Sequence, residues 1–210
     1  MSGELEKTIE YYETHAAELA GRYEGADVEG LHERLLSTFP PRTRLLEIGC
    51  GSGRDAAFLI GRGYQVDCVE ASPGMAARAD KIHPELRGHI SLGQWGSARE
   101  EVKLKGGPYD GVYAIAALMH LTDEAIPRAL NRVHAILRTG GRFFFSVPLS
   151  RPDLSSSGFD SEGRYYLLLN QEQWLAFVEA AGFRDINFFT SSDGLGRINI
   201  KWLTCIARKE

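Results

Sequence analysis

The sequence has no long hydrophobic run and no excess of basic residues. Its apolar stretches are far shorter than the roughly 20 residues of a membrane-spanning helix, and its N-terminal residues are charged. We therefore predict neither a membrane span nor a signal segment, and we expect a cytoplasmic protein. A formal net charge of -4 at pH 7 gives no broad basic surface, which argues against a nucleic acid as partner.

Cysteine is also scarce. Cys50, Cys68 and Cys205 stand alone, without the paired spacing of a zinc site. We predict no metal site and three reduced, buried thiols. Cys50 lies in a glycine-rich turn, so a reactive thiol at that position is the alternative.

The most informative stretch is residues 43–59, where an apolar segment runs into three alternate glycines. Leu45, Leu46 and Ile48 indicate a buried strand, and the glycines indicate a tight turn that leads into a helix. Glycine permits positive φ and the close approach of a ligand, and free N–H groups in such a loop favour an anionic group. The turn contains Gly49, Gly51 and Gly53, and the helix begins at Arg54.

The spacing of these glycines differs from the dinucleotide fingerprint, which requires G-x-G-x-x-G. The chain instead has an acidic residue, Glu47, at the end of the strand, just before the alternating glycines. This pattern resembles the first motif of the class I, Rossmann-like S-adenosylmethionine (SAM)-dependent methyltransferases. The resemblance implies SAM as the cofactor and S-adenosylhomocysteine as its product. It also implies cofactor contacts from Glu47, Gly49, Cys50, Gly51, Gly53, Arg54 and Asp55.

A second acid, Glu70, follows Gly51 by 19 residues, at the end of the second predicted strand. This spacing matches the roughly 20 residues at which an acid meets the ribose in nucleotide-binding folds. A carboxylate can accept two hydrogen bonds from a diol, so we predict that Glu70 binds the ribose. The alternative is a favourable charge at the N-terminus of the next helix, which Ser72 would cap. Ala71 and Met75 would then flank the adenine, and for Met75 packing in the core is the alternative.

The adenine side departs from the pattern of the class. The resembling enzymes commonly carry an Asp just beyond the third strand, where this chain has Gln94 and Trp95. We predict that Gln94 accepts the adenine amino hydrogen through its amide oxygen and that Trp95 covers the base. For Trp95, ordinary packing at the rim is an equal alternative.

The resemblance continues through the fourth strand, at residues 109–116. Small residues there, such as Ala114, let the cofactor and the acceptor approach each other. His120 follows shortly after and is our predicted catalytic residue, because an imidazole accepts protons near neutral pH. The alternative is that His120 only orders its loop through hydrogen bonds.

The N-terminal segment predicts an amphipathic helix over residues 4–23 and a second helix over 28–39. Leading segments of this kind close over the cofactor in the resembling proteins. Tyr12 is then predicted to reach the methionine end of SAM, with Tyr11 and Tyr23 as further candidates. Packing with the hydroxyl at the rim is the alternative.

The alternation of strands and helices predicts an α/β fold. We expect a doubly wound, seven-stranded, mostly parallel sheet with helices on both faces and an N-terminal helical cap. The resemblance implies that the last strand is antiparallel. Residues 1–210 are expected to form one domain. Its parts are the helical cap (1–42), the cofactor-binding core (43–147), and the lid loop, last helix and final strand hairpin (148–210).

The long loop at 149–166 has no periodicity and is predicted to form part of the acceptor site. Asp193, Arg197 and Trp202, in or after the connection of the final hairpin, are candidates to face the acceptor. A turn-stabilising contact between Asp193 and Arg197, with Trp202 in the core, is the alternative.

These observations predict transfer of the SAM methyl group to a small or medium-sized molecule by in-line displacement. The protein would chiefly align the reactants and exclude water, and a general base is optional. One alternative is a SAM-binding regulatory domain without turnover, suggested by the missing acid at the adenine site. The other is an NAD-dependent oxidoreductase, against which Arg54 argues.

Overall fold

The computed structural model describes residues 3–97 and 102–210, in which seven strands form one sheet. The order across the sheet is β3-β2-β1-β4-β5-β7-β6. Strands β1 to β5 pair in parallel, and β7 lies antiparallel between β5 and β6. The predicted sheet, with its antiparallel last strand, is therefore confirmed. The strands are β1 (Arg44–Ile48), β2 (Gln65–Glu70), β3 (Ile90–Leu92), β4 (Tyr109–Ile115), β5 (Leu137–Ser150), β6 (Phe183–Ser192) and β7 (Lys201–Lys209).

Helices cover both faces of the sheet. Neighbouring residues of β4 and β5 point to opposite faces, so Val112 and Phe143 pack toward α6 and α7, whereas Tyr113 and Phe144 pack toward α3 and α4. The three cysteines are free and buried, as predicted. Within the described residues, every helix is too short or too polar to cross a membrane. The α-helices are α1 (Gly3–Thr14), α2 (Ala16–Glu24), α3 (Glu29–Thr38), α4 (Arg54–Ile60), α5 (Pro73–Ile82), α6 (Ile126–Ile136) and α7 (Gln171–Ala180).

The N-terminal segment differs from the single helix predicted over residues 4–23. The structure breaks it at His15, whose φ of -106° and ψ of 15° depart from helical values. The His15 ring Nδ1 lies 2.9 Å from the Tyr11 carbonyl oxygen, so the side chain competes for a helical acceptor. The break redirects α2, and Ala16 and Leu19 then pack on Met75 of α5.

A second difference concerns the start of the fifth strand. The sequence predicts a helix over residues 123–137 and a capping turn over 138–141. The structure ends α6 at Ile136 and begins β5 at Leu137. The register between β4 and β5 then shifts between Tyr109 and Gly111, so residues 138–141 form an irregularity inside the strand.

Candidate functional site

A cavity of about 690 Å³ lies at the carboxyl ends of the parallel strands. Ligand sites of α/β sheets are found at this edge, and small-molecule sites commonly measure about 300–1,000 Å³. Helices α1 and α2, the start of α3 and the β6–β7 connection provide the remaining walls. Most residues predicted to bind the cofactor line it: Tyr12, Glu47, Gly49, Gly51, Arg54, Asp55, Glu70, Ala71, Met75, Gln94 and Trp95, together with His120.

Three predicted cofactor residues, Cys50, Gly53 and Ala114, do not line the cavity. The neighbouring thiol of Cys68 and burial raise the pKa of Cys50 well above its ordinary value, which supports a structural thiol. A Cβ on Gly53 would lie 2.3 Å from Leu86 Cδ1, so this glycine is needed for helix packing. Ala114 is packed in the core on the face covered by α6 and α7.

The glycine turn has the backbone geometry that its sequence predicts. Gly49, Gly51 and Gly53 have φ values of 72°, 56° and 83°, in the left-handed region that favours glycine. Their N–H groups, however, are not free for an anion. They donate to the Val69 carbonyl at 2.8 Å, to Glu70 Oε2 at 2.8 Å and to the Cys50 carbonyl at 2.9 Å, respectively. The expectation of free donors at these glycines is therefore corrected.

Glu70 is held at the cavity wall by backbone donors. Its Oε1 accepts from the N–H groups of Ala71 and Ser72, both at 2.9 Å, and its Oε2 accepts from Gly51. Burial raises the pKa of Glu70, and these three donors lower it in part. A carboxylate has about four acceptor positions, so the geometry leaves acceptor capacity for a hydroxyl in the cavity. Ser72 also caps α5 by accepting from Met75 N–H, as predicted.

The other acids of the site bind neighbouring side chains. The Tyr113 hydroxyl donates to Glu47 at 3.1 Å, and burial raises the pKa of Glu47 well above its ordinary value. Burial alone would raise the pKa of Asp55, but hydrogen bonds from His32 and Arg54 lower it. His32 lies on α3, and Arg54 also donates to the Tyr23 carbonyl of α2 at 2.7 Å. Asp55 and Arg54 therefore attach the N-terminal helices to the glycine turn.

His120 is a buried, doubly hydrogen-bonded imidazole. Its Nδ1 lies 2.6 Å from the Tyr165 carbonyl, which can only accept, so Nδ1 carries the proton. Its Nε2 then accepts from the Tyr12 hydroxyl, 3.0 Å away. Burial lowers the pKa of His120 to about 4. The ring is therefore neutral at physiological pH and connects α1 with the long loop.

We expect His120→Gln to remove part of the acid sensitivity of folding. The pKa of His120 is about 4 in the folded chain, against 6.5 for the unperturbed group, so the unfolded chain binds more protons between these values. Stability from the neutral ring is then complete above the unfolded pKa and is lost as pH falls toward the folded one. Urea unfolding of the wild type should lose about 2 kcal/mol more than the variant between about pH 7 and about pH 5. Equal losses in both proteins would contradict this assignment.

Trp95 and Gln94, the two residues predicted for the adenine side, differ in how tightly their side chains are packed. The Trp95 indole N–H donates to the Ala129 carbonyl at 3.2 Å, and the side chain is buried beside Arg132. Trp95 is thus fixed against α6, with part of its surface at the cavity wall. Gln94 also lines the cavity, and it is more exposed.

Several cavity residues lie in predicted segments of the site but were not singled out by the sequence. Ala116, with a φ of 53°, follows β4 and donates its N–H to the Ser146 carbonyl at 3.1 Å. The long loop contributes Arg151, Arg164 and Tyr166. No periodicity marks these positions, so the sequence assigns the loop to the acceptor site only as a whole.

Asp193, Arg197 and Trp202 form one cluster at the cavity wall. The Arg197 guanidinium donates to both Asp193 oxygens, at 2.6 and 3.0 Å, and the Trp202 indole N–H donates at 2.9 Å. Burial would raise the pKa of Asp193, but these donors lower it to about 2. The turn-stabilising contact foreseen between Asp193 and Arg197 exists, and all three residues also face the cavity.

The sheet order, the glycine turn after β1 and the acid at the end of β2 define the class of this protein. Its fold is that of the class I, Rossmann-like, SAM-dependent methyltransferases. The chain belongs to the family described as the methyltransferase domain, whose sequence profile matches residues 19–198.

Among curated relatives, the chain is 29% identical over 118 residues to the 18S rRNA (guanine(1575)-N(7))-methyltransferase of Saccharomyces cerevisiae, covering 51% of this chain and 41% of that protein. The chain spans half or less of the length of the first two curated relatives it matches.

Two solved structures share the fold at low sequence identity. The 1,6-didemethyltoxoflavin-N1-methyltransferase of Burkholderia thailandensis, with bound S-adenosylhomocysteine, has a TM-score of 0.73 and 20% identity, covering 97% of this chain and 87% of that chain. The phosphoethanolamine N-methyltransferase 2 of Haemonchus contortus, in complex with SAM, has a TM-score of 0.67 and 22% identity, covering 86% of this chain and 52% of that chain.

Proposed function

We propose that this chain transfers the methyl group of SAM to a small or medium-sized acceptor molecule. One observation carries the proposal. A single cavity is lined by the glycine turn and Glu70 on one part of its wall and by polar side chains of the long loop on another. Contacts between distant segments hold the walls of the cavity together. Tyr165 N–H donates to Thr8 Oγ1 at 2.9 Å, and Asp27 N–H donates to the Gly194 carbonyl at 3.0 Å. A concave cavity of about 690 Å³ suits a small acceptor better than a large flat one.

The residues at the strand ends fit the cofactor. Glu70 lines the cavity, and the spare acceptor positions of its carboxylate suit a diol. Gly51 lies beside Met75, because a Cβ on Gly51 would be 3.7 Å from Met75 Cε. We assign Glu70 to the ribose hydroxyls, Ala71, Met75 and Gln94 to the adenine, and Tyr12 to the methionine end. Trp95, fixed against α6, closes the side of the base. When bound, SAM supplies a methyl group already activated by its sulfonium.

The protein's contribution is then alignment and exclusion of water. Tyr12 and His120 are the residues we assign to the transfer site. Nε2 of His120 already accepts from the Tyr12 hydroxyl, so its lone pair is not free for a proton from the acceptor. The pKa of about 4 makes His120 a weak base. We therefore assign it a role in positioning the Tyr12 hydroxyl rather than in strong general-base catalysis.

Calorimetric titration tests the cofactor assignment. We expect S-adenosylhomocysteine to bind with a stoichiometry of about one and NADH not to displace it, because the third glycine of the dinucleotide fingerprint is absent. Displacement by NADH would support the oxidoreductase alternative. The same preparation, incubated with labelled SAM and a varied panel of acceptors, distinguishes the other alternative: binding of SAM without any methyl transfer would support a regulatory domain.

RNA is the second candidate acceptor, because one curated relative is named as an rRNA methyltransferase. The net charge of -4 opposes it, since binding to nucleic acid depends on a positive surface. Label incorporated into an RNA fraction, but not into small molecules, would contradict the small-acceptor proposal.

A further inference from the structure

Two buried arginines of the long loop line the cavity. The side chains of Arg151 and Arg164 are 2% and 7% exposed. Charged side chains are rarely buried unless they are paired, and here the loop supplies the partners. Arg151 donates through Nε and Nη2 to Asp153, at 2.8 and 2.7 Å. Arg164 donates through Nε to Asp160 at 2.8 Å, and its Nη2 lies 2.6 Å from Glu162.

The acids and the arginines lie on different sides of this network. Arg151 and Arg164 line the cavity, whereas Asp153, Asp160 and Glu162 do not. The side chains of Asp153 and Glu162 are 50% and 41% exposed, so water screens their charges. Only Asp160 is buried with the arginines, and it contacts both of them, at 2.7 and 3.6 Å. The side of the network that faces the cavity is therefore positive.

The guanidinium planes are fixed by aromatic rings. The Arg151 guanidinium lies 4.0 Å from the centre of the Tyr166 ring, and that of Arg164 lies 4.9 Å from the Tyr11 ring. Burial alone would lower the pKa of Arg151, but its hydrogen bonds to Asp153 raise it above the ordinary value, so it stays charged. The contacts of Arg164 with these acids are made through Nε and Nη2. Fixed, charged N–H groups of this kind suit the recognition of a planar or tetrahedral oxyanion.

We infer that Arg151 and Arg164 form an oxyanion subsite, and that the methyl acceptor carries a carboxylate or a phosphate group. This inference rests on the proposed function, because it assigns this part of the cavity to the acceptor. Aromatic side chains also line the cavity, with Tyr23, Tyr166 and Trp202 among them. The acceptor is therefore an organic acid with an apolar or aromatic part.

Three matched probes test the subsite by calorimetry: phenylacetate, phenyl phosphate and the neutral phenylacetamide. Each is titrated into the protein with and without saturating S-adenosylhomocysteine. We expect at least one acid to bind about tenfold or more tightly than the amide, because charge-assisted hydrogen bonds are lost with the neutral probe. The better of the two acids identifies the group as carboxylate or phosphate. Equal binding of acid and amide, or no binding by any probe, overturns the inference.

Variants separate recognition from a purely structural role of the arginines. In Arg164→Gln the preference for acid over amide should fall to about twofold or less, and Arg151→Gln should reduce it as well. Arg62→Gln, at an exposed arginine outside the cavity, should keep the full preference. If Arg164→Gln weakens acid and amide alike, the arginine only orders the loop and the inference fails. Arg164→Lys, which keeps the charge, covers the case in which the glutamine variant does not fold, and it should retain a preference for acid with reduced affinity.

The outcome also separates this inference from the proposed function. Binding of S-adenosylhomocysteine without any acid preference rejects the subsite alone. An acid preference without binding of S-adenosylhomocysteine rejects the methyl-transfer assignment and leaves the anion site in place.

Discussion

Replacing Glu70 by alanine is expected to weaken S-adenosylhomocysteine binding by about 1.5 to 3 kcal/mol, or roughly 10- to 150-fold. The carboxylate is the group that we assign to the ribose hydroxyls, and a hydrogen bond to a charged group contributes about that much. The substitution also removes the acceptor of three backbone N–H groups, from Gly51, Ala71 and Ser72. Calorimetric titration of S-adenosylhomocysteine into wild type and variant measures the change.

Glu13→Gln is a matched control for this experiment. Glu13 is an exposed carboxylate that binds the same turn of α5, accepting from Ser72 Oγ at 2.7 Å and from Gly74 N–H at 2.6 Å, but it does not line the main cavity. Its replacement should change affinity by about threefold or less, since Glu13 is exposed and the glutamine amide oxygen can still accept a hydrogen bond. Unchanged affinity in Glu70→Ala would mean that the ribose is held elsewhere. An equal loss in both variants would mean that the start of α5, rather than the Glu70 carboxylate, is responsible.

The fold was predictable wherever a local pattern and its tertiary role agree. The apolar run at Leu45 to Ile48, the alternating glycines and the Ser72 cap each specify structure within a few residues, and each is found where the sequence places it. The break at His15 was not predictable in this way. The apolar spacing continues across it, and the reorientation of α2 depends on contacts with Met75 of α5, distant in sequence.

The candidate site follows the same rule. Glu47 and Glu70 could be assigned because strand ends in a parallel sheet meet at one edge, so their position along the strand fixes their position in space. The donors of the glycine turn were misjudged because the Glu70 carboxylate accepts from the N–H of Gly51. This contact joins the turn after β1 to the end of β2, and neither segment reveals it alone. Arg151 and Arg164 could be placed no better than in a loop near the acceptor. Their burial depends on Tyr11 and Tyr166 as well as on acids of the loop itself.

The glycine turn gives the second large expected effect, in Gly49→Ala. A Cβ at this position would lie 2.6 Å from the Cβ of Ala117, an atom attached directly to the backbone that cannot rotate away. The residue also has a φ of 72°, which costs an L-residue about 1 to 2 kcal/mol. Overpacking adds about 1 to 3 kcal/mol, so we expect a total loss of unfolding free energy of about 2 to 5 kcal/mol. Urea unfolding followed by circular dichroism measures it.

Gly51→Ala and a double variant divide this loss into its two causes. Gly51 has a φ of 56°, but a Cβ there would meet only Met75 Cε at an ordinary 3.7 Å. Its replacement should therefore cost only the conformational part, about 1 to 2 kcal/mol. The double variant Gly49→Ala with Ala117→Gly lacks the Ala117 Cβ that the new Cβ at residue 49 would meet. Its loss of unfolding free energy should therefore be smaller than the sum of the losses in the two single variants, by about the overpacking part. Additive losses in the double variant would show that the turn does not rest on Ala117. The close approach of Gly49 to Ala117 would then play no part in holding the glycine turn against the end of β4.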